Sequence, residues 1–179
     1  MLEPYRMTGE PLVPRAPRVP LTRTAFAAAH VVSDPLRARS PWVGRPAVDW
    51  DATLAVRVSL WDQGLGLAEA MDTAQRGMGV DWLTAKELIE RTMVAAKVHA
   101  LRPRVACGAG TDHVALGDLR SEDAIFAAYA HQMAAIEAAG GQIILMASRA
   151  FPAMGADRAA YARVYRRLIA SAAEPVILH

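Results

Sequence analysis

From residue 24 onward, short unbroken apolar runs alternate with longer stretches whose apolar positions recur every three or four residues. The runs are TAFAAAHVV (24–32), LGLAEA (65–70), RVACGA (104–109), GQIILMA (141–147) and PVILH (175–179). None alternates apolar with polar as a half-wet sheet does, so each predicts a strand buried on both faces, as in parallel sheets. The stretches between them predict helices. Asp49 can cap one that runs through Trp61, with Leu54, Val58 and Trp61 on one face and Gly64 as its stop. Asp81 or Thr84 starts the next; Thr84 with Glu87 fits a capping box, and Leu88, Ile89, Met93 and Ala96 form its stripe. Ser121 caps a third, with Ile125, Tyr129, Met133 and Ile136 inward and Gly140 at its end. Asp157 caps a fourth, on which Tyr161, Val164, Tyr165, Leu168 and Ile169 keep helical spacing.

Strand followed by helix, repeated every roughly 35 to 40 residues, is the grammar of βαβ units. A (β/α)8 barrel uses about 250 residues for eight such units. A flavodoxin-like open sheet uses the same units, and periodicity alone does not choose between them. Ahead of the first strand, Pro4, Pro11, Pro14, Pro17 and Pro20 stand too close together for helix or inner strand. The expected organisation is an extended proline-rich arm over 1–23 and an α/β domain over 24–179.

Composition narrows the function classes. Hydrophobic residues make up 53% and charged residues 21%, so the chain can bury a core and still be wetted. No apolar run approaches the roughly 20 residues that span a bilayer, so no membrane partner is expected. The first twenty residues lack the apolar stretch of a secretory signal. A single cysteine, Cys107, excludes an internal disulfide, and a cytoplasmic location is expected. The pI of about 9.0 suggests nucleic acid, but the net charge is only +2. Arg6, Arg15, Arg18, Arg23, Arg163, Arg166 and Arg167 are scattered along the chain and read as solvated faces, so no nucleic-acid partner is expected.

The polar residues collect where each strand ends. They are His30, Ser33 and Asp34; Glu69, Asp72 and Thr73; Thr111, Asp112 and His113; Ser148 and Arg149; and His179. In α/β barrels that rim is where chemistry is assembled from several strands. His30, Glu69, Asp72, Asp112, His113, Ser148, Arg149 and His179 are therefore the candidate substrate-binding residues. They could bind sugar hydroxyls, act as general acid and base, or place His30, Glu69, His113 and His179 around a divalent metal. No HxH, HExxH or CxxC spacing supports a metal locally. Gly108-Ala109-Gly110 lacks the third glycine and the adjoining helix of a dinucleotide loop; it reads as close backbone approach. Cys107 reads as a small core residue, and His99 and His131 as helix surface or packing.

The runs TAFAAAHVVSDP, VDWDATLAVRVSLWDQGLGLAEAMDTAQRGMGVDW, ACGAGTDH, ILMASRAF and EPVILH resemble a bacterial family related to dihydrodipicolinate synthase. The likeness runs from about Thr24 to the end and is most specific in AEAMDTAQRGMG. It implies a class I aldolase-type barrel, of which this chain supplies about five parallel strands and four helices. It further implies a lyase acting on a small carbonyl or sugar-derived substrate, with no cofactor. Two departures stand out. The wider superfamily ends its second strand in Gly-Thr-Thr-Gly-Glu, where this chain has Glu69-Ala70-Met71-Asp72-Thr73. It ends its fourth strand near a tyrosine, where this chain has Ala147-Ser148-Arg149-Ala150-Phe151. The Schiff-base lysine of the superfamily belongs to a sixth strand, and Lys86 and Lys97 fall on a helix. The resemblance thus implies a partial barrel, inactive alone, and its open sheet edges predict a homo-oligomer or self-association through them. The alternatives are a metal-dependent sugar isomerase or epimerase, and a non-enzymatic half-barrel that serves in assembly.

Overall fold

Five short parallel strands lie side by side in chain order in the computed structural model, which describes residues 8–10, 23–34, 36 and 47–179. They are β1 (Phe26–Ala28), β2 (Gly66–Glu69), β3 (Val105–Ala109), β4 (Gln142–Leu145) and β5 (Ile177–Leu178). The helices are α1 (Trp50–Asp62), α2 (Trp82–Val98), α3 (Glu122–Ala139), the short α4 (Ala150–Ala153) and α5 (Arg158–Ser171). Sequential order without a strand reversal excludes the open doubly wound sheet, whose order turns back on itself at a switch point. The sheet is a curled half-barrel. Most of the expected arm, 1–23, lies outside the described residues.

The caps explain where the helices begin. Asp49, Asp81, Ser121 and Asp157 each accept the backbone N–H of the residue three positions on. Such caps are typically worth about 1 kcal/mol each. Asp81, not Thr84, therefore caps α2, and Thr84 sits buried inside the helix. Gly140 ends α3 in the left-handed conformation at φ +87°, open to glycine without steric cost. The apolar run 24–32 gives only three strand residues. Past Ala28 the chain finds other partners: Val32 N donates to Thr53 Oγ1 at 2.9 Å, and Asp49 N to Val32 O at 2.8 Å. Helix α4 is an addition to the expected set. Its Pro152 falls in the first turn, where a missing N–H costs nothing, and Phe151 stacks on Tyr161 at 4.3 Å.

Period-two alternation divides the strand residues between two apolar clusters. Leu67, Val105, Cys107, Ile143 and Leu145 face outward and join Leu88, Ile89, Ile125, Tyr129, Ile136, Val164 and Leu168 from the helices. Each fully buried Leu or Ile contributes about 1.5–3 kcal/mol. Met71, Ala106, Ile144 and Met146 form a smaller cluster on the concave face, with Phe26, Ala68 and Ile177 beside them. Val105, Ile143 and Leu145 are thus packed under helices and do not line the barrel interior. Gly108 is required by this concave packing. A Cβ there would stand 2.8 Å from both Ala70 O and Met146 Sδ. On α5 the stripe narrows to Val164 and Leu168, with Tyr161 and Tyr165 half-buried and Ile169 45% exposed. Among the described residues, no helix is long and apolar enough to cross a membrane.

Candidate functional site

Parallel strands in one order bring the loops after β2, β3 and β4 to the same rim. The loop after β2 sends Arg76 back beneath itself, where the residue is only 6% exposed. Its Nη1 donates to Gly108 O at 2.6 Å and Ala70 O at 3.2 Å, tying the ends of β2 and β3 together. Its Nη2 donates to Asp112 Oδ1 at 2.5 Å and to Gln132 Oε1 at 2.7 Å, and its Nε donates to Asp112 Oδ2 at 3.2 Å. Gln132, from α3, also accepts Gly110 N at 2.7 Å, and its amide nitrogen reaches Asp112 Oδ1 and His113 Nδ1, each at 2.9 Å. Burial alone would raise the Asp112 carboxyl. The charge and hydrogen bonds of Arg76, helped by Gln132, outweigh it and hold the group below the usual carboxylate range.

Above this layer lies a cleft of about 420 Å³ whose lining includes Asp72, Thr111, Asp112, Ser148, Arg149 and His179. The Thr111 and Ser148 hydroxyls are 2.7 Å apart, and Ser148 Oγ also accepts Ala150 N at 3.1 Å. One hydroxyl donates to the other. Whichever does so, one O–H remains over and can donate into the cleft. The side chain of Arg149, which precedes α4, has no hydrogen-bond or ion-pair partner among the described residues. A second, more open cleft of about 600 Å³ shares Gly77, Asp112 and Arg149 with the first and adds Trp82 and His113. His113 stacks on His131 with ring centres 4.8 Å apart and leans on Trp82 at 6.1 Å.

Of the eight residues expected at the rim, Asp72, Asp112, Ser148, Arg149 and His179 line the first cleft, and His113 lines the second. Two stand apart. The His30 ring is exposed and lines neither cleft, while its carbonyl accepts Arg57 Nη1 at 2.6 Å. Glu69 faces the helices, not the cleft. It is fully buried, bound by Arg57 Nε at 2.9 Å and Nη2 at 2.8 Å, Thr92 Oγ1 at 2.7 Å and Ala70 N at 2.8 Å. As the last residue of β2 it alternates with Ala68, which is why it leaves the concave side. Among the described residues, no three His, Cys, Asp or Glu side chains gather as metal ligands. Cys107 is fully buried, and burial pushes its thiol far above the ordinary range, so it is unreactive core.

Arg76 and Gln132 escaped the reading of strand ends, and Thr111, named there, was not carried into the candidate set. Gln132 sits on a helix and Arg76 six residues beyond β2, and neither position has a local signature. The one available signal was an arginine in a glycine-rich loop, Arg76-Gly77-Met78-Gly79, inside the most specific segment of the resemblance. Both lysines lie on α2 away from the rim; Lys86 is 3.8 Å from Glu90, and Lys97 is exposed.

Over residues 1–179 the chain matches the family described as "Protein of unknown function (DUF993)", and it belongs to that family. No curated protein matches it.

Proposed function

We propose that this member of the DUF993 family is the substrate-binding part of an aldolase-type barrel lyase, and that its rim cleft takes a small hydroxylated keto acid or sugar acid. The carrying observation is the juxtaposition of Arg149, a cation unpaired among the described residues, with the Thr111–Ser148 pair and its one spare O–H donor. Together they suit a carboxylate or a carbonyl oxygen. Asp72 in the same lining can accept from hydroxyl groups, while Asp112 is already neutralised by Arg76. The cleft therefore offers both donors and an acceptor. A carboxylate-bearing polyol or hydroxy ketone has the complementary pattern. The strand order, the Gly108-Ala109-Gly110 end of β3 and the apolar β4 support the aldolase-type reading.

On this reading the chain binds and orients; the lysines of α2 do not attack the carbonyl. The test is calorimetry with hydroxypyruvate, pyruvate, gluconate and glucose. Hydroxypyruvate and gluconate are expected to bind, glucose to bind more weakly, and Arg149→Gln to weaken the acids about tenfold, the equivalent of about 1.4 kcal/mol. Acids that fail to bind, or bind equally well to Arg149→Gln, sink the reading. Borohydride treatment with hydroxypyruvate should leave the chain's mass unchanged; a reduced adduct on Lys86 or Lys97 would contradict the assignment of binding alone.

A further inference from the structure

The orientation of one buried amide decides the chemistry of a histidine at the rim. Gln132 Oε1 faces Arg76 Nη2 and Gly110 N, each at 2.7 Å, and both of those groups can only donate. Turning the amide over would set N–H against N–H at that end and oxygen against the Asp112 carboxylate at the other. The oxygen is therefore fixed toward Arg76, and the NH2 group toward Asp112 Oδ1 and His113 Nδ1. An amide NH2 only donates, so His113 Nδ1 must offer its lone pair, and the ring proton of the neutral imidazole must sit on Nε2.

We propose that His113 is held as a neutral imidazole whose Nε2–H is a hydrogen-bond donor at the larger cleft, for the carbonyl oxygen or oxyanion of an acid that reaches from the smaller cleft past the Asp112 and Arg149 they share, with Gln132 and Arg76 as its positioning residues. The identity of that ligand rests on the proposed function; the protonation of the ring does not. This is the reverse of a metal ligand or general base, which would present a bare nitrogen to the cleft.

The surroundings agree. The ring stacks on His131 at 24° between planes, and Trp82 packs beside both imidazoles, 6.1 Å from His113 and 6.3 Å from His131. Nε2 has no partner among the described residues. Burial first, then His131 and Arg76, disfavour the cation; Asp112 alone opposes them, and His113 stays below the usual histidine range. Arg149 lines the same cleft and adds a further positive charge near it. A neutral imidazole donor polarises a carbonyl without adding a second cation to the cleft that Arg149 lines.

Long-range 1H–15N correlation spectra of the 15N-labelled protein at pH 7, without ligand, test the assignment, with His113→Phe identifying the resonances. The expected pattern is a bare Nδ1, a protonated Nε2 and a titration midpoint below that of free histidine. A bare Nε2, or an imidazolium at pH 7, overturns the proposal. Gln132→Glu adds a second check. A carboxylate there requires a proton on Nδ1, so the ring should change tautomer or become charged; an unchanged spectrum contradicts the amide's role. For the ligand, His113→Phe keeps the stack and removes the donor, so affinity for hydroxypyruvate should fall about tenfold. Unchanged affinity removes His113 from the site. The two readings fail separately: lack of hydroxypyruvate binding by the unmodified protein counts against the small-acid cleft, whereas a wrong nitrogen counts against His113 whatever binds.

Discussion

Arg57 and Arg76 are both buried, and each holds a carboxylate contributed from the C-terminal end of a strand, yet they perform different tasks. Arg57 and Glu69 are both 0% exposed, and every polar partner they have is protein: Thr53, Thr92, Ala70 and the His30 carbonyl. Arg76 is as deeply placed, but its partner Asp112 remains 24% exposed and lines both clefts. The first pair joins α1 and α2 to the sheet. The second carries its order upward, through Gln132, to groups that meet solvent. One network is closed and structural; the other ends in an opening, and only an opening can take a ligand.

The sharpest way to break this contrast is to remove one partner of each pair. Arg57→Met leaves Glu69 charged and unpaired in the core and should cost about 3–5 kcal/mol in chemical denaturation, whereas adding Glu69→Leu should recover much of the loss. A stable Arg57→Met single variant would show that water reaches Glu69 and that the network is not closed. Arg76→Met should cost less, about 2–3 kcal/mol, because Asp112 can turn toward solvent. It should also release Gln132 and abolish the His113 pattern in the same 15N spectra, which Arg57→Met at permissive temperature should leave intact.

Acid should separate the regions next. His113 is held low, so stability is level above the ordinary histidine value of about 6.5 and declines as pH falls below it, because the unfolded chain takes up the proton first. Asp112 is held low as well, so its contribution is full above about pH 4 and is lost as pH falls through its lowered value. Unfolding free energy measured between pH 8 and pH 3 should show the two steps. His113→Phe should remove the upper one and Asp112→Asn the lower one. Smallest of all, Arg149→Gln should change stability by no more than about 0.5 kcal/mol, since its side chain is exposed and makes no hydrogen bond or ion pair among the described residues. A larger loss would mean that Arg149 holds the rim together and is not free for a ligand.

Much of the fold was legible along the chain because its causes are local. A capping Asp or Ser acts three residues away, as at Asp49 and Ser121, and an apolar stripe repeats within two turns, as in Leu88, Ile89, Met93 and Ala96. Unbroken apolar strands declare burial on both faces, and from that a parallel sheet followed; the half-barrel came from the family resemblance and is fixed by the sequential strand order. Membership of a rim also follows from strand direction, which is why Asp72, Asp112, Ser148, Arg149 and His179 could be named together.

Which way each of those residues turns was decided elsewhere. Glu69 and Asp72 stand three positions apart at the end of one strand, yet one binds Arg57 beneath the helices and the other lines a cleft. The choice depends on Arg57, which lies on the preceding helix at a position that reads as an ordinary charged surface residue. Arg76 meets Asp112 across 36 residues of chain and Gln132 across 56. Hydrophobic periodicity is a property of neighbours and survives in a one-dimensional reading. Pairing of buried charge is a property of separated segments that must each lose water together, and only the folded sheet brings those segments within hydrogen-bond reach.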